Sequence, residues 1–353
     1  MNATVVPLST APLGCMSPET KDAVLSVAGT HGITTRGASI VNNADNGTTQ
    51  LSSSAVASTS IPLLPAATMT DGSSSDKNHW INHYQNENGT SISAAGDIQI
   101  QAADQLNIRQ GDINSENGNV SLHGKNGVNI IEGRQQTELD QSVYIKSSGL
   151  MSKKTSLDQS RANYDEAVGS NITGAKVSIS SDNDINIRGS NIISDNGTVL
   201  KAGQDVNIQR RPNQYQDQEY HKETKSGLMG SGGIGFSIGK QKETDDTTSR
   251  RTIHSGSSVG SLNGDTTIIA GNHYTQTGSS VSSPQGNVNI IAKQIDINAA
   301  EDQYSRDNIH TFEKSGLTVA VNVPIVNAIQ TASTAVNRIG ESKKRARQRH
   351  GSL

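Results

Sequence analysis

The chain has 353 residues, a net charge of −3, 32% hydrophobic and 3% aromatic residues, and 34 glycines. Its ten aromatic rings are too few to pin a large layered core, and 18% charged residues exclude both charge-driven disorder and a uniformly basic, nucleic-acid-coating surface. Cys15 is the only cysteine, which excludes an intramolecular disulfide and a cysteine-based metal site.

Residues 1–85 hold two serine triplets (52–54 and 73–75), several prolines and little sustained alternation, and read as a low-complexity leader or a degraded solenoid edge. Lys21 is the first basic side chain, so no export signal is expected in this chain. His79, Trp80 and His83 close the block. With no acidic or cysteine partner beside them they read as a polar junction rather than a metal site.

From Thr90 to Ile309 the pattern changes to short apolar-polar-apolar bursts. Examples are Ile98-Gln99-Ile100, Leu106-Asn107-Ile108, Val128-Asn129-Ile130, Ile185-Asn186-Ile187 and Val206-Asn207-Ile208. Each burst fits a half-buried strand, and the Gly-Asp, Asn-Gly and Gly-Asn pairs between them turn the chain at no steric cost. Strands this short suit a coil that turns after every burst.

A longer period overlies the short one. Asn117-Gly118-Asn119-Val120 recurs as Asn196-Gly197-Thr198-Val199 and as Gln285-Gly286-Asn287-Val288. A second marker runs from Lys146 to Leu150, from Lys225 to Leu228 and from Lys314 to Leu317, as Lys-Ser-Gly-Leu with one extra Ser in the first copy. The glycines lie 79 and 89 residues apart and the leucines 78 and 89, so one duplicated unit carries both markers. Each unit joins a strand-rich portion to a polar insert, at about 134–166 and 210–252, expected to project as a hairpin or loop. The remainder makes roughly seven coils, a rod on the order of 34 Å long. Because Val120 to Val128 is eight residues and Val199 to Val206 is seven, either Val199 or Leu200 faces the core, and a bulge or shortened turn is expected near Lys201–Asp205.

The segments 115–122, 202–208 and 286–292 (SENGNVSL, AGQDVNI and GNVNIIA) resemble the haemagglutinin repeats of filamentous haemagglutinins and of contact-dependent growth inhibition effectors. The resemblance covers about 90–340. It implies a right-handed parallel β-helix, here 86–318, and export by two-partner secretion to the cell surface. It further implies a transporter partner and contact with a target cell or outer membrane. Family exoproteins are far longer, so the chain is expected to be an internal or truncated piece.

Parallel β-helices also include polysaccharide-processing enzymes, the alternative reading. Asp182, Asp184, Asp205, Glu132, Arg109 and Arg188 are the available acids and bases. Arg109 and Arg188 occupy equivalent repeat positions, and Asn107, Asn129, Asn186, Asn207 and Asn289 also recur between apolar neighbours. Catalysis needs a unique constellation, whereas repetition indicates ladders. Ser181-Asp182-Asn183-Asp184 lacks the calcium-binding repeat and reads as a turn, and Gly230–Lys240 fails the phosphate-loop spacing. No catalytic, cofactor or metal residue is assigned, and no nucleic-acid partner is expected.

Two surface-contact candidates remain. Ile234, Phe236 and Ile238 alternate with small residues, giving one apolar face. After Pro324, apolar residues at helical spacing lead to Lys343, Lys344, Arg345, Arg347 and Arg349, so 319–353 reads as a short helix and a basic tail suited to anionic lipid. The sequence thus describes a non-enzymatic, surface-exposed repeat module.

Overall fold

The computed structural model describes residues 24–29, 39–42, 47–53, 59–61, 68–74, 77–230 and 235–320. Among them every regular element is a strand, and the strands form four sheets. Three sheets are parallel, with eight, seven and seven strands, and the chain visits them in a fixed order. One coil comprises Ser91–Ala94, Ile98–Ala102 and Gln105–Arg109. The next lies directly on it, with Ile113 against Ile92, Val120 against Ile98 and Val128 against Leu106. Stacked coils of this kind are a parallel β-helix. Seven are described, from Ser39–Asn42 to Gln294–Asn298, and the first uses strands from within residues 1–85.

The bursts explain the coil. Alternate side chains point inward, so Ile98, Ile100, Leu106 and Ile108 are buried in a narrow core of stacked Ile, Leu and Val. Among the described residues, Tyr274 is the one aromatic side chain in that core. Its hydroxyl donates to Gln276 Oε1 at 2.8 Å, and burial pushes the phenol pKa up to about 12. Outward positions form a second ladder, in which the amides of Asn107, Asn129, Asn186 and Asn207 bond in series at 2.8, 2.9 and 2.9 Å. Asn289 is not part of it. It lies on another sheet, opposite Thr267.

Of the two registers left open by the sequence, the one with Leu200 inward is found, but the bulge expected near Lys201–Asp205 is not. Thr198, not Val199, continues the inward row of Val120 and Val177, so Leu200 is buried and Val199 is 40% exposed. Thr198 and Val206 stand in the rows of Val120 and Val128, and no slip occurs across Lys201–Asp205. The missing residue is lost before the strand, at Gly197, whose φ of +154° suits glycine. The inward Thr198 hydroxyl is satisfied by the Gly260 carbonyl at 2.6 Å.

The fourth sheet is antiparallel and holds the polar inserts. One hairpin pairs Gly133–Ser148 with Ser152–Val168, and a longer one pairs Arg211–Gly230 with Gly235–Ser255. These inserts do not project separately. They pair with each other, with a leader hairpin (Thr68–Ser74 and His79–Asn86) and with a last strand, Gln303–Ala320. The result is a seven-stranded fin whose longest strands reach roughly 65 Å. Two complete coils separate each hairpin from the next, which accounts for the long repeat. The C-terminal helix expected within 319–353 lies outside the described residues, apart from the strand ending at Ala320.

Candidate functional site

Two parts of the fin gather chemistry: its root on the coils and its far tip. At the root, Glu132 is 1% exposed and lies 3.0 Å from both Arg188 Nε and Arg211 Nε. Burial lowers the Arg211 pKa, and Glu132 opposes that shift. Arg109 pairs with Glu87 at 2.6 Å, and Glu87 also accepts the Arg134 backbone N–H at 2.7 Å. Arg109 and Arg188 do occupy equivalent rows, and each ties a coil to the base of a hairpin.

Asp182 is exposed in a turn, and Asp184 and Asp205 hold turns by their carboxylates. Asp184 accepts the Asp205 backbone N–H at 3.1 Å, and Ser181 Oγ accepts that of Asn183 at 3.0 Å. Asp205 accepts from the Asn272 amide at 2.9 Å and the His273 backbone at 3.1 Å. The six acids and bases are thus divided between turns and hairpin roots rather than converging on one pocket. His79 meets Asp140 at 3.2 Å across the seam between two hairpins, and Arg161 shares that carboxylate. Burial raises the Asp140 pKa, but the hydrogen bonds from His79 and Arg161 outweigh it and hold the carboxyl below 3.8. Trp80 is half-exposed on the same strand.

At the tip the repeated Lys-Ser-Gly-Leu markers converge. Gly227, Gly239 and Gly316 stand directly opposite one another on three strands. A Cβ on Gly227 would lie 2.1 Å from the Met151 carbonyl, and one on Gly316 would lie 2.3 Å from that of Ile238. Their φ angles are +99° and +140°, so glycine is required by both space and backbone. One step further out, Leu228, Ile238 and Leu317 form a cross-strand row that is 39, 51 and 70% exposed. Leu150 and Met151, in the turn of the neighbouring hairpin, are also exposed.

A lysine belt lies behind this row. It comprises Lys146, Lys153 and Lys154 on one hairpin, Lys222, Lys225, Lys240 and Lys242 on the next, and Lys314. Three carboxylates, Glu223, Glu243 and Glu313, stand among these eight lysines, leaving +5 at the tip of a chain whose total is −3. Glu223 binds Lys154 at 2.6 Å and also Lys225, and these hydrogen bonds hold its carboxyl below 4.5.

Of the contact residues read from sequence, Ile238 lies in the exposed row. Phe236 stands in the same strand, opposite Gly230 and Val319. Ile234 and the cations Lys343, Lys344, Arg345, Arg347 and Arg349 lie outside the described residues. Leu228 and Leu317 were visible as repeat markers, but their meeting with Ile238 depends on pairing between distant segments.

A solenoid of stacked coils carrying a fin of paired hairpins defines a parallel β-helix repeat protein. Residues 151–311 match the family model described as hemagglutinin repeat. The chain is 28% identical over 265 residues to "tRNA nuclease CdiA-2" of Burkholderia pseudomallei, covering 75% of this chain and 8% of that protein. It is 28% identical over 283 residues to "16S rRNA endonuclease CdiA" of Enterobacter cloacae, covering 79% and 8%. It is 34% identical over 177 residues to "Toxin CdiA" of Yersinia pestis, covering 50% and 5%. The chain therefore spans less than a tenth of the length of each of these relatives. No solved structure matches it. Residues 151–311 thus carry the hemagglutinin-repeat match, and the chain is similar to CdiA proteins over 50–79% of its length.

Proposed function

We propose that the chain is a non-enzymatic module of a two-partner-secretion exoprotein, displayed at the cell surface, that extends the molecule and engages a target cell through the tips of its fin. The observation that carries this reading is the exposed Leu228–Ile238–Leu317 row backed by a belt of lysines. An apolar edge with cations behind it suits a phosphate-bearing lipid surface, where each lysine contributes about 1 kcal/mol that salt screens. The three apolar side chains contribute on the order of 1.5–3 kcal/mol each if fully buried, and salt does not weaken that contribution. The similarity to CdiA proteins supports the secretion route and the transporter partner. The contact residues 343–349 and Ile234 belong to the same proposal as additional elements.

Sedimentation of the purified chain with outer-membrane vesicles across a salt series tests it. Replacing Lys153, Lys154, Lys225, Lys240 and Lys314 with Ser should remove most binding at low salt. Replacing Leu228, Ile238 and Leu317 with Ser should remove the part that survives high salt. A parent chain that stays in the supernatant at every salt concentration leaves a spacer without adhesion.

A further inference from the structure

The middle of the fin carries a second cluster, which borders the lysine belt and shares Glu243 with it. Asp158, His221, Asp245 and His310 stand directly opposite one another on four successive strands, alternating acid and imidazole across one row. Glu243 is two residues from Asp245 on the same strand and therefore on the same face. Ligand atoms of Glu243, Asp245 and His310 all lie within 4.8 Å of one another, and His310 Nδ1 meets Asp245 Oδ1 at 2.6 Å. Asp158, His221 and Asp245 also line a hollow of about 380 Å³ on this face.

The local charges are unevenly matched. Glu243 stands directly opposite Glu223, a like-charge pairing that weakens a sheet unless a cation intervenes. Glu223 takes both nearby lysines, Lys154 and Lys225. Glu243 has no hydrogen bond or ion pair with any described residue, so its carboxylate is a ready donor. An imidazole with two carboxylates is a donor set for zinc-class ions, whereas calcium and magnesium favour oxygen ligands throughout.

We infer that Glu243, Asp245 and His310 bind a divalent transition-metal ion of the zinc class, which staples the long hairpin to the strand Gln303–Ala320. The bound ion gives Glu243 the partner it lacks and adds a bond across a seam between repeats. Three protein ligands leave further positions for water.

The test is calorimetric titration of the full chain, stripped with chelator and dialysed, with zinc chloride. One ion per chain is expected at this site. Glu243→Gln and His310→Asn should each weaken it tenfold or more. His273→Asn changes the His273–Asp296 pair on the coil body, 2.7 Å apart, and should leave the site intact. Because Glu243→Gln removes no hydrogen bond or ion pair, its circular dichroism should match the parent's. Absence of zinc binding, unchanged binding in the Glu243→Gln variant, or an equal loss in the His273→Asn variant overturns the assignment. Calcium chloride binding as tightly as zinc overturns the ion class.

Discussion

The coil body and the fin are built from the same chain by opposite means. In the body, each strand is short, parallel to its neighbours and buried on one face, and Ile, Leu and Val stack through every coil. In the fin, strands of up to 21 residues pair antiparallel, and a single layer carries half-exposed or exposed side chains on both faces. Cross-strand pairs replace a core there. Tyr164 and Tyr215 rings lie 5.5 Å apart, Arg251 sits 4.6 Å above the Tyr215 ring, and Tyr164 donates to Asp217 at 2.6 Å. Burial sets the stability of the first region, and the second rests on many small directional contacts.

The comparison is broken most directly by removing core volume. Ile187→Ala, at a position with 0% exposure, should cost about 2–5 kcal/mol in denaturant unfolding. Val143→Ala in the fin, at 38% exposure, should change stability by no more than about 0.5 kcal/mol. Equal costs would mean that the fin has a hidden core.

The link between the regions sharpens the comparison. Glu132→Ala leaves two arginines without their shared carboxylate at the root. The cost should be about 2 kcal/mol, less than for a fully buried pair because Arg188 and Arg211 remain partly exposed. Hydrogen exchange should rise at the bases of both hairpins and little in the Ile/Val ladder.

Acid should give the smallest effect on the body and a visible one on the fin. The carboxyls of Asp140, Glu223 and Asp302 are all held below their ordinary values by partners in or beside the fin. Depressed folded values mean that their stabilisation is complete above the unfolded pKa and is lost as pH falls through the folded one. Fluorescence of Trp80, the single tryptophan and a fin residue, should therefore change below about pH 4 before the β-sheet circular dichroism of the body declines.

The body was legible because burial leaves a period: Ile185-Asn186-Ile187 states its own inward and outward faces, and the four-asparagine ladder follows from it. The register at Thr198 was legible only as one of two options, because a threonine with a satisfied hydroxyl fills an inward position that aliphatic side chains take in the neighbouring coils. The fin was harder still. A sheet solvated on both faces has no apolar alternation to read, and the partners that define it, such as Leu228 with Ile238 and Ile238 with Leu317, include residues 79 positions apart in sequence.

The alternation of two coils with one hairpin carries a geometric consequence. Two coils advance the body by about 9.6 Å, and the two strands of a hairpin widen the fin by the same amount. The two lattices therefore share one pitch and can lengthen together without accumulating strain. A single inserted coil would displace every later hairpin by about 4.8 Å, into a slot that calls for a strand of the opposite direction. Duplication of such a chain is thus quantised: it grows by whole units, and the number of units sets both the length of the rod and the breadth of the apolar edge at the end of the fin.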